Sequence, residues 1–79
     1  MHCSIYKGRK APDTYVYLPR RGDFSGLPSS LLAALGEPIH VMDLVLTPAR
    51  KLARVEVLDV MRGLLVNGCY VQLPPRDLV

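Results

Sequence analysis

The side chains with the clearest chemical use in this sequence are its tyrosines and its basic residues. Each tyrosine falls in a stretch rich in β-branched and aromatic residues, and Tyr15 and Tyr17 share one face of a strand because strand side chains alternate. Rings on an open strand face can stack on the bases of single-stranded RNA, while lysine and arginine bind its phosphates. The residues that we predict to contact nucleic acid are Lys7, Arg9, Lys10, Arg50, Lys51, Arg54, Tyr15, Tyr17 and Tyr70.

The tyrosines also have a purely structural explanation. Tyrosine favours half-buried strands, and aromatic pairs across strands stabilise a sheet without binding a ligand. A helix over that face would remove the stacking surface. The sequence also lacks the signature and element order of the common RNA-recognition fold, so most of the weight of this prediction rests on the basic residues.

The distribution of charge favours an anionic partner more than the net charge does. The formal net charge is only +3 at pH 7. Residues 1–21 hold five basic residues against one acid, residues 22–49 hold three acids and no lysine or arginine, and Arg50, Lys51 and Arg54 follow. Because solvated basic loops are common, the pattern indicates nucleic acid only in combination with the tyrosines.

Nucleophilic and metal chemistry are poorly supported. Cys3 with a histidine could form a catalytic dyad, but a thiolate needs an electropositive and partly open setting, and a strand cysteine among apolar residues is usually inert. His2, Cys3, His40 and Cys69 lack the paired short spacing of a zinc site. We therefore predict no catalytic residue, metal or cofactor. A hydrolase would require carboxylates that are isolated in sequence, such as Asp13 and Asp43, to converge in the fold.

Composition and length predict one soluble, cytoplasmic domain spanning residues 1–79. Two cysteines cannot form the disulfide framework of a small secreted protein. The first residues lack a basic start followed by an apolar stretch, and apolar runs are far shorter than the ~20 residues of a membrane span. No membrane contact is expected.

The element pattern predicts an α/β (α+β) sandwich on a four-stranded sheet, in the order β-β-α-β-α-β. The first two strands should pair as an antiparallel hairpin because their connection is short. The expected strands are Cys3–Lys7, Thr14–Leu18, Ile39–Leu46 and Cys69–Leu73, and the expected helices are Pro28–Leu35 and, approximately, Glu56–Asn67.

The third predicted strand, Ile39–Leu46, has apolar residues pointing to both sides. This pattern is typical of a buried, central strand with cover on both faces, so we expect helices on both faces of the sheet. The apolar stripe of the second helix should comprise Val57, Val60, Met61, Leu64 and Leu65, and Gly63 within it indicates close packing of a neighbour.

Taken together, several segments resemble the YcgL family of small bacterial proteins. They are residues 3–6, 13–17, 23–24, 31–38, 50–54 and 68–75, of which the last, Gly68-Cys69-Tyr70-Val71-Gln72-Leu73-Pro74-Pro75, is the most specific. The resemblance implies an α/β sandwich in a gammaproteobacterial cytoplasm and brings no established activity. The resemblance also implies a link to RNA metabolism, because some members of the family are encoded beside ribonuclease D.

The leading prediction is therefore a non-enzymatic accessory protein that touches RNA or an RNA-processing protein. The first alternative is a protein-interaction or assembly module without nucleic acid contact, since sheet edges can add a strand from a partner and Leu73-Pro74-Pro75 can adopt an extended conformation. A small hydrolase or nuclease is a further alternative.

Overall fold

The computed structural model of the chain describes residues 1–52 and 55–74, and these form six elements in the predicted order. The strands are β1 (His2–Gly8), β2 (Tyr15–Leu18), β3 (Pro38–Val45) and β4 (Tyr70–Gln72), and the helices are α1 (Ser29–Leu35) and α2 (Val57–Asn67). Neither of these helices has the length and apolar content that crossing a membrane requires.

The sheet is antiparallel throughout, with the strand order β3-β1-β2-β4. The predicted hairpin of β1 and β2 is confirmed, with Ser4 opposite Leu18 and Lys7 opposite Tyr15. β3 returns on the far side of β1, and β4 pairs with β2. The hairpin is therefore the centre of the sheet, and the two later strands are its edges.

Helices cover both faces of this sheet, as predicted. On one face, α2 places Val57, Val60 and Leu64 against Cys3, Ile5 and Tyr17. On the other, the segment containing α1 places Leu27 and Leu35 against Tyr6, Val16 and Leu18. The two cores arise from the alternation of side chains along β1 and β2, which sends neighbouring residues to opposite faces.

The prediction that the third strand is central and covered on both sides is wrong. β3 lies at the edge, and Leu44 is its one buried residue. Ile39, Val41, Met42 and Val45 are 38–47% exposed. α2 makes its main strand contacts with β2 and β4, and the segment containing α1 packs on β1 and β2. The apolar side chains of β3 other than Leu44 therefore extend beyond the covered area of the sheet.

The predicted stripe of α2 is confirmed at Val57, Val60 and Leu64, which are buried, and at Met61, which is partly buried against the same core. It is wrong at Leu65, which is 75% exposed. Gly63 is buried instead. A Cβ atom at residue 63 would lie 2.9 Å from Cδ2 of Tyr70 and 3.2 Å from the carbonyl oxygen of Cys69. The absence of a side chain thus lets α2 approach β4 closely, as predicted.

A further contact joins the segments that carry the two helices. Gly26, which precedes α1, lies so close to the end of α2 that a Cβ atom there would be 2.9 Å from the carbonyl oxygen of Asn67. The thiol of Cys69 lies 3.5 Å from the carbonyl oxygen of Gly26, in donor position. The helical layers on the two faces of the sheet are therefore in direct contact where α2 ends and β4 begins.

Candidate functional site

The outer side of β3 is the largest unpaired stretch of main chain in the sheet, as far as the described residues extend. The hydrogen bonds at the two ends of β3 show which of its main-chain groups face away from β1. Beyond the C-terminal end of β3, Leu46 donates its N–H to the carbonyl oxygen of Met1 at 2.6 Å, and the amino group of Met1 donates to the carbonyl oxygen of Leu46 at 2.9 Å. Met1 and Leu46 therefore form a hydrogen-bonded pair of the antiparallel ladder.

Hydrogen-bonded and non-bonded pairs alternate along an antiparallel ladder, so this pair sets the pattern for the rest of β3. Leu44 and Met42, opposite Cys3 and Ile5, direct their main-chain groups toward β1. Asp43 and Val45, opposite Ser4 and His2, direct their N–H and C=O groups away from the sheet.

The same reasoning applies at the other end of β3, beyond an irregularity opposite Ile5 and Tyr6. Arg9 donates its N–H to the carbonyl oxygen of Glu37 at 3.0 Å. By alternation, Pro38 and His40 then face outward. A proline at this position lacks only an N–H that would point to solvent, which explains why it is tolerated in the strand. We define the β3 edge as the outward main-chain groups of Pro38, His40, Asp43 and Val45.

Apolar side chains flank the β3 edge on both faces of the sheet. Ile39 and Met42 lie opposite Lys7 and Ile5, on the face that α2 covers, and Val45 lies opposite His2, on the other face. All three are 38–47% exposed. A strand added at this edge would therefore gain both main-chain hydrogen bonds and apolar contacts.

Asp43 interrupts this apolar row, and its carboxylate is held by a cluster of polar side chains. The hydroxyl of Ser4, which is buried, donates to Oδ1 of Asp43 at 2.6 Å, and Nε2 of His40 lies 2.9 Å from the same oxygen. Arg21 binds the other oxygen, Oδ2. The hydrogen bonds from Ser4, His40 and Arg21, in that order, hold the pKa of Asp43 well below its usual range. The negative charge that would repel an incoming strand is thus compensated.

The cluster is anchored from the α1 side of the sheet. The ring of His40 packs edge-on against Tyr6 with centroids 5.3 Å apart, and Tyr6 packs in turn against Phe24 at 4.9 Å. Gly22, beside Arg21, donates its N–H to the hydroxyl oxygen of Tyr6 at 2.9 Å. These contacts fix the orientation of β3 relative to the segment that precedes α1.

The chemistry of this cluster differs from that of a hydrolytic site. Ser4 donates its proton to a carboxylate whose pKa is lowered, and such a carboxylate is a poor general base. Burial raises the pKa of the Cys3 thiol, which disfavours the thiolate that nucleophilic attack requires. Across residues 1–52 and 55–74 there is no group of three or more histidine, cysteine, aspartate or glutamate side chains able to hold a metal ion.

The tyrosines predicted to stack on bases lie on a single face, but α2 covers it. Tyr17 is 5% exposed, donates its hydroxyl to Oε1 of Gln72 at 2.9 Å, and packs edge-on against Tyr70. Tyr15 and Tyr70 are half-buried against the same core. The open aromatic platform on which the RNA prediction partly rested is therefore closed at Tyr17, because the helix needs this face for its own apolar stripe.

The basic residues predicted to bind nucleic acid fall into two groups. Lys7, Arg9 and Lys10 lie where β1 ends and β3 begins, whereas Arg50 and Lys51 follow the other end of β3. The length of β1 places these ends about 20 Å apart. Arg54 lies outside the described residues. The two groups flank the β3 edge, and Lys7 is also the cross-strand partner of Tyr15 on the face that α2 covers. Contact of either group with RNA stays a prediction.

Sequence reasoning missed the β3 edge and the residues that hold Asp43. One signal was present, because Asp43 is the single carboxylate in a strand that is apolar apart from His40. The partners of Asp43 could not be read from the sequence, since Ser4 and Arg21 are distant from it along the chain and reach it only through strand pairing.

Fold and site together define a small α+β sandwich protein whose antiparallel sheet exposes one long, largely apolar edge. The chain belongs to the YcgL domain family, whose sequence model matches residues 3–75, so the resemblance predicted above is confirmed.

Similar proteins cover nearly the whole chain. A YcgL domain-containing protein of Stenotrophomonas maltophilia (strain K279a) is 45% identical over 75 residues, which is 95% of this chain and 87% of that protein. One from Xanthomonas euvesicatoria pv. vesicatoria (strain 85-10) is 45% identical over 94% of this chain and 86% of its own length. One from Pseudomonas aeruginosa PAO1 is 41% identical over 95% of this chain and 77% of its own length.

Proposed function

We propose that this chain is a protein-interaction module that binds an extended segment of a partner at the β3 edge. The observation that carries the proposal is the outward orientation of the main-chain groups of His40, Asp43 and Val45 on a strand whose apolar side chains are exposed. The bound segment would extend the sheet by one strand, with main-chain hydrogen bonds supplying affinity and side-chain contacts supplying selectivity.

The comparison of the two edges of the sheet supports β3 as the binding edge. β4 has three residues, and very short edge strands are one way in which proteins avoid unwanted pairing. β3 has eight residues and no lysine, arginine or glutamate along its length. Its one carboxylate is held by Ser4, His40 and Arg21, so the usual protection by charge is missing.

A matched pair of variants tests the proposal. Val45→Pro removes one outward N–H and leaves the hydrogen bonds to β1 in place, whereas Val45→Thr keeps the N–H and the β-branched shape. Peptides are selected from a random displayed library against the natural chain, and their affinities for both variants are then measured. We expect Val45→Pro to weaken the selected peptides at least about tenfold, and Val45→Thr less than about twofold. Equal binding to both variants contradicts the proposal.

Contact with RNA through the two basic groups is the alternative outcome. Fluorescent single-stranded RNA is titrated at two salt concentrations against the natural chain and against the double variant Arg50→Ala with Lys51→Ala. Salt-sensitive binding that the double variant loses, and that Val45→Pro leaves unchanged, would favour RNA over a protein strand.

A further inference from the structure

We infer that the segment which binds the β3 edge is an apolar strand with acidic residues at both of its ends. This inference rests on the proposed function and names the chemistry of its partner. It is carried by the positions of the charges around β3, which the pairing of β1 with β3 brings to the two ends of the edge.

At the start of β3 the basic residues exceed the acidic ones. Arg9 lies beside Glu37, joined to it by a main-chain hydrogen bond and by an exposed ion pair of 2.9 Å. Lys10 donates its N–H to the carbonyl oxygen of Leu35 and lies against Gly36. Lys7 stands opposite Ile39. Three cations against Glu37 leave this end of the edge positive, and Asp13 lies farther along the same β1–β2 connection.

The other end of the edge is also positive. Arg50 donates its N–H to the carbonyl oxygen of Thr47, so the chain turns directly after β3 and keeps Arg50 near the end of that strand. Arg50 and Lys51, both exposed, line a cavity of about 540 Å³ in this loop together with Glu56. Between the ends, Arg21 compensates the carboxylate of Asp43.

This arrangement disfavours a second copy of the chain as the occupant. In antiparallel pairing of two β3 edges, Arg50 and Lys51 of one copy would lie beside Arg9 and Lys10 of the other. In parallel pairing, each basic group would lie beside its own equivalent. Like charges meet in both orientations, and the net charge of +3 adds to the repulsion. A strand with glutamate or aspartate at its ends meets opposite charge at both.

Three synthetic peptides of about ten residues test the inference. They share a central run of alternating valine and threonine and carry two residues at each end that are all glutamate, all glutamine or all lysine. Affinities for the natural chain are measured by fluorescence anisotropy at low and high salt. We expect the glutamate peptide to bind about tenfold more tightly than the glutamine peptide at low salt, the lysine peptide to bind weakest, and the difference to shrink at high salt.

Charge-reversed variants locate the effect on the chain. Lys10→Glu and Lys51→Glu should each weaken the glutamate peptide about three- to tenfold, and each should improve the lysine peptide. Arg62→Glu is the matched control, because Arg62 is exposed on α2, whose main strand contacts are with β2 and β4 rather than with β3. It should change either affinity less than about twofold.

The outcomes separate this inference from the function on which it rests. If all three peptides bind the natural chain equally well and Val45→Pro weakens each of them, the inference is overturned and strand binding at the β3 edge is retained. Peptide binding that Val45→Pro does not weaken would overturn both. A chain that sediments as a dimer, and becomes monomeric in Val45→Pro, would overturn the acidic partner in favour of a second copy.

Discussion

Tyr70 occupies the space that a side chain at Gly63 would need, with its Cδ2 atom 2.9 Å from the position of a Cβ atom there. The ring belongs to β4 and the glycine to the middle of α2, so this contact sets the distance between helix and sheet. A Gly63→Ala variant gains about 1 kcal/mol of helix propensity but forces both the ring and the main-chain carbonyl group of Cys69 to move, which costs about 2–3 kcal/mol, the upper part of the range for overpacking. We expect a net loss of roughly 1–2 kcal/mol in urea unfolding. Arg62→Ala, on the exposed side of the same helix, should change the stability by less than about 0.5 kcal/mol.

The carboxylate of Asp43 makes stability sensitive to acid. Since the partners of Asp43 lower its pKa in the folded state, its contribution is complete above the unfolded value of about 4 and is lost as the pH falls below it. The free energy of unfolding should therefore fall less steeply below about pH 4 in Asp43→Asn than in the natural chain. Asp13→Asn, in an exposed loop, is the control and should keep the natural slope. Identical slopes in Asp43→Asn and the natural chain would show that the cluster does not form in solution.

The two cysteines should differ in their rates of alkylation. Burial raises the pKa of both thiols, but Cys3 is 2% exposed whereas Cys69 is half-buried near the end of α2. At neutral pH we expect Cys69 to react first and Cys3 at least about tenfold more slowly, because Cys3 requires opening of the core. Mass spectrometry after timed labelling with iodoacetamide measures both rates. Cys69→Ser isolates the slow site, and rapid labelling of Cys3 in that variant would argue against its burial.

Two adjacent leucines of α2 test which side of the helix is buried. Leu64 is 4% exposed and Leu65 is 75% exposed. Leu64→Ala should destabilise the chain by about 2–5 kcal/mol, and Leu65→Ala by less than about 0.5 kcal/mol. Both variants lose the same atoms from the same helix, so chemical denaturation compares them directly. Similar losses at the two positions would mean that α2 is rotated about its axis.

Substituting proline at two positions of β3 tests the alternation of inward and outward main-chain groups that defines the β3 edge. Met42 and Val45 are exposed to similar extents, 44% and 47%, but the N–H of Met42 faces β1 and that of Val45 faces solvent. Met42→Pro leaves a carbonyl group of β1 without its donor and should cost about 2–3 kcal/mol more than Val45→Pro. Thermal and urea unfolding measure the difference. If Val45→Pro were the more destabilising variant, the N–H of Val45 would face β1 and that of Met42 would face solvent, contrary to this alternation.

Much of the fold could be predicted from local patterns, and the misplaced parts depend on non-local pairing. The hairpin, both helices and their ends follow from alternation, Pro28 and the glycines at residues 36 and 68. The position of β3 could not be predicted in this way, because an exposed apolar edge and a buried central strand have the same composition. Its pairing with β1 brings together residues about 40 positions apart, such as Ser4 and Asp43.

The candidate site was less predictable than the fold for a related reason. The basic residues were identified by type, but their position at the two ends of β3 appears only when the strand order is known. The tyrosines were placed correctly on strands, yet which face of the sheet α2 covers depends on long-range packing that local patterns do not show. For the cluster around Asp43, the sequence offered one signal, a carboxylate among the apolar residues of a predicted strand.

The contact between Gly26 and Asn67 has a consequence for how this small protein loses its structure. The loop that precedes α1 contacts the end of α2, so separation of either helix from the sheet would also break the contact with the other helical segment. Amide protons in the two hydrophobic cores should therefore exchange with solvent at a common limiting rate, as in a molecule that melts in a single event.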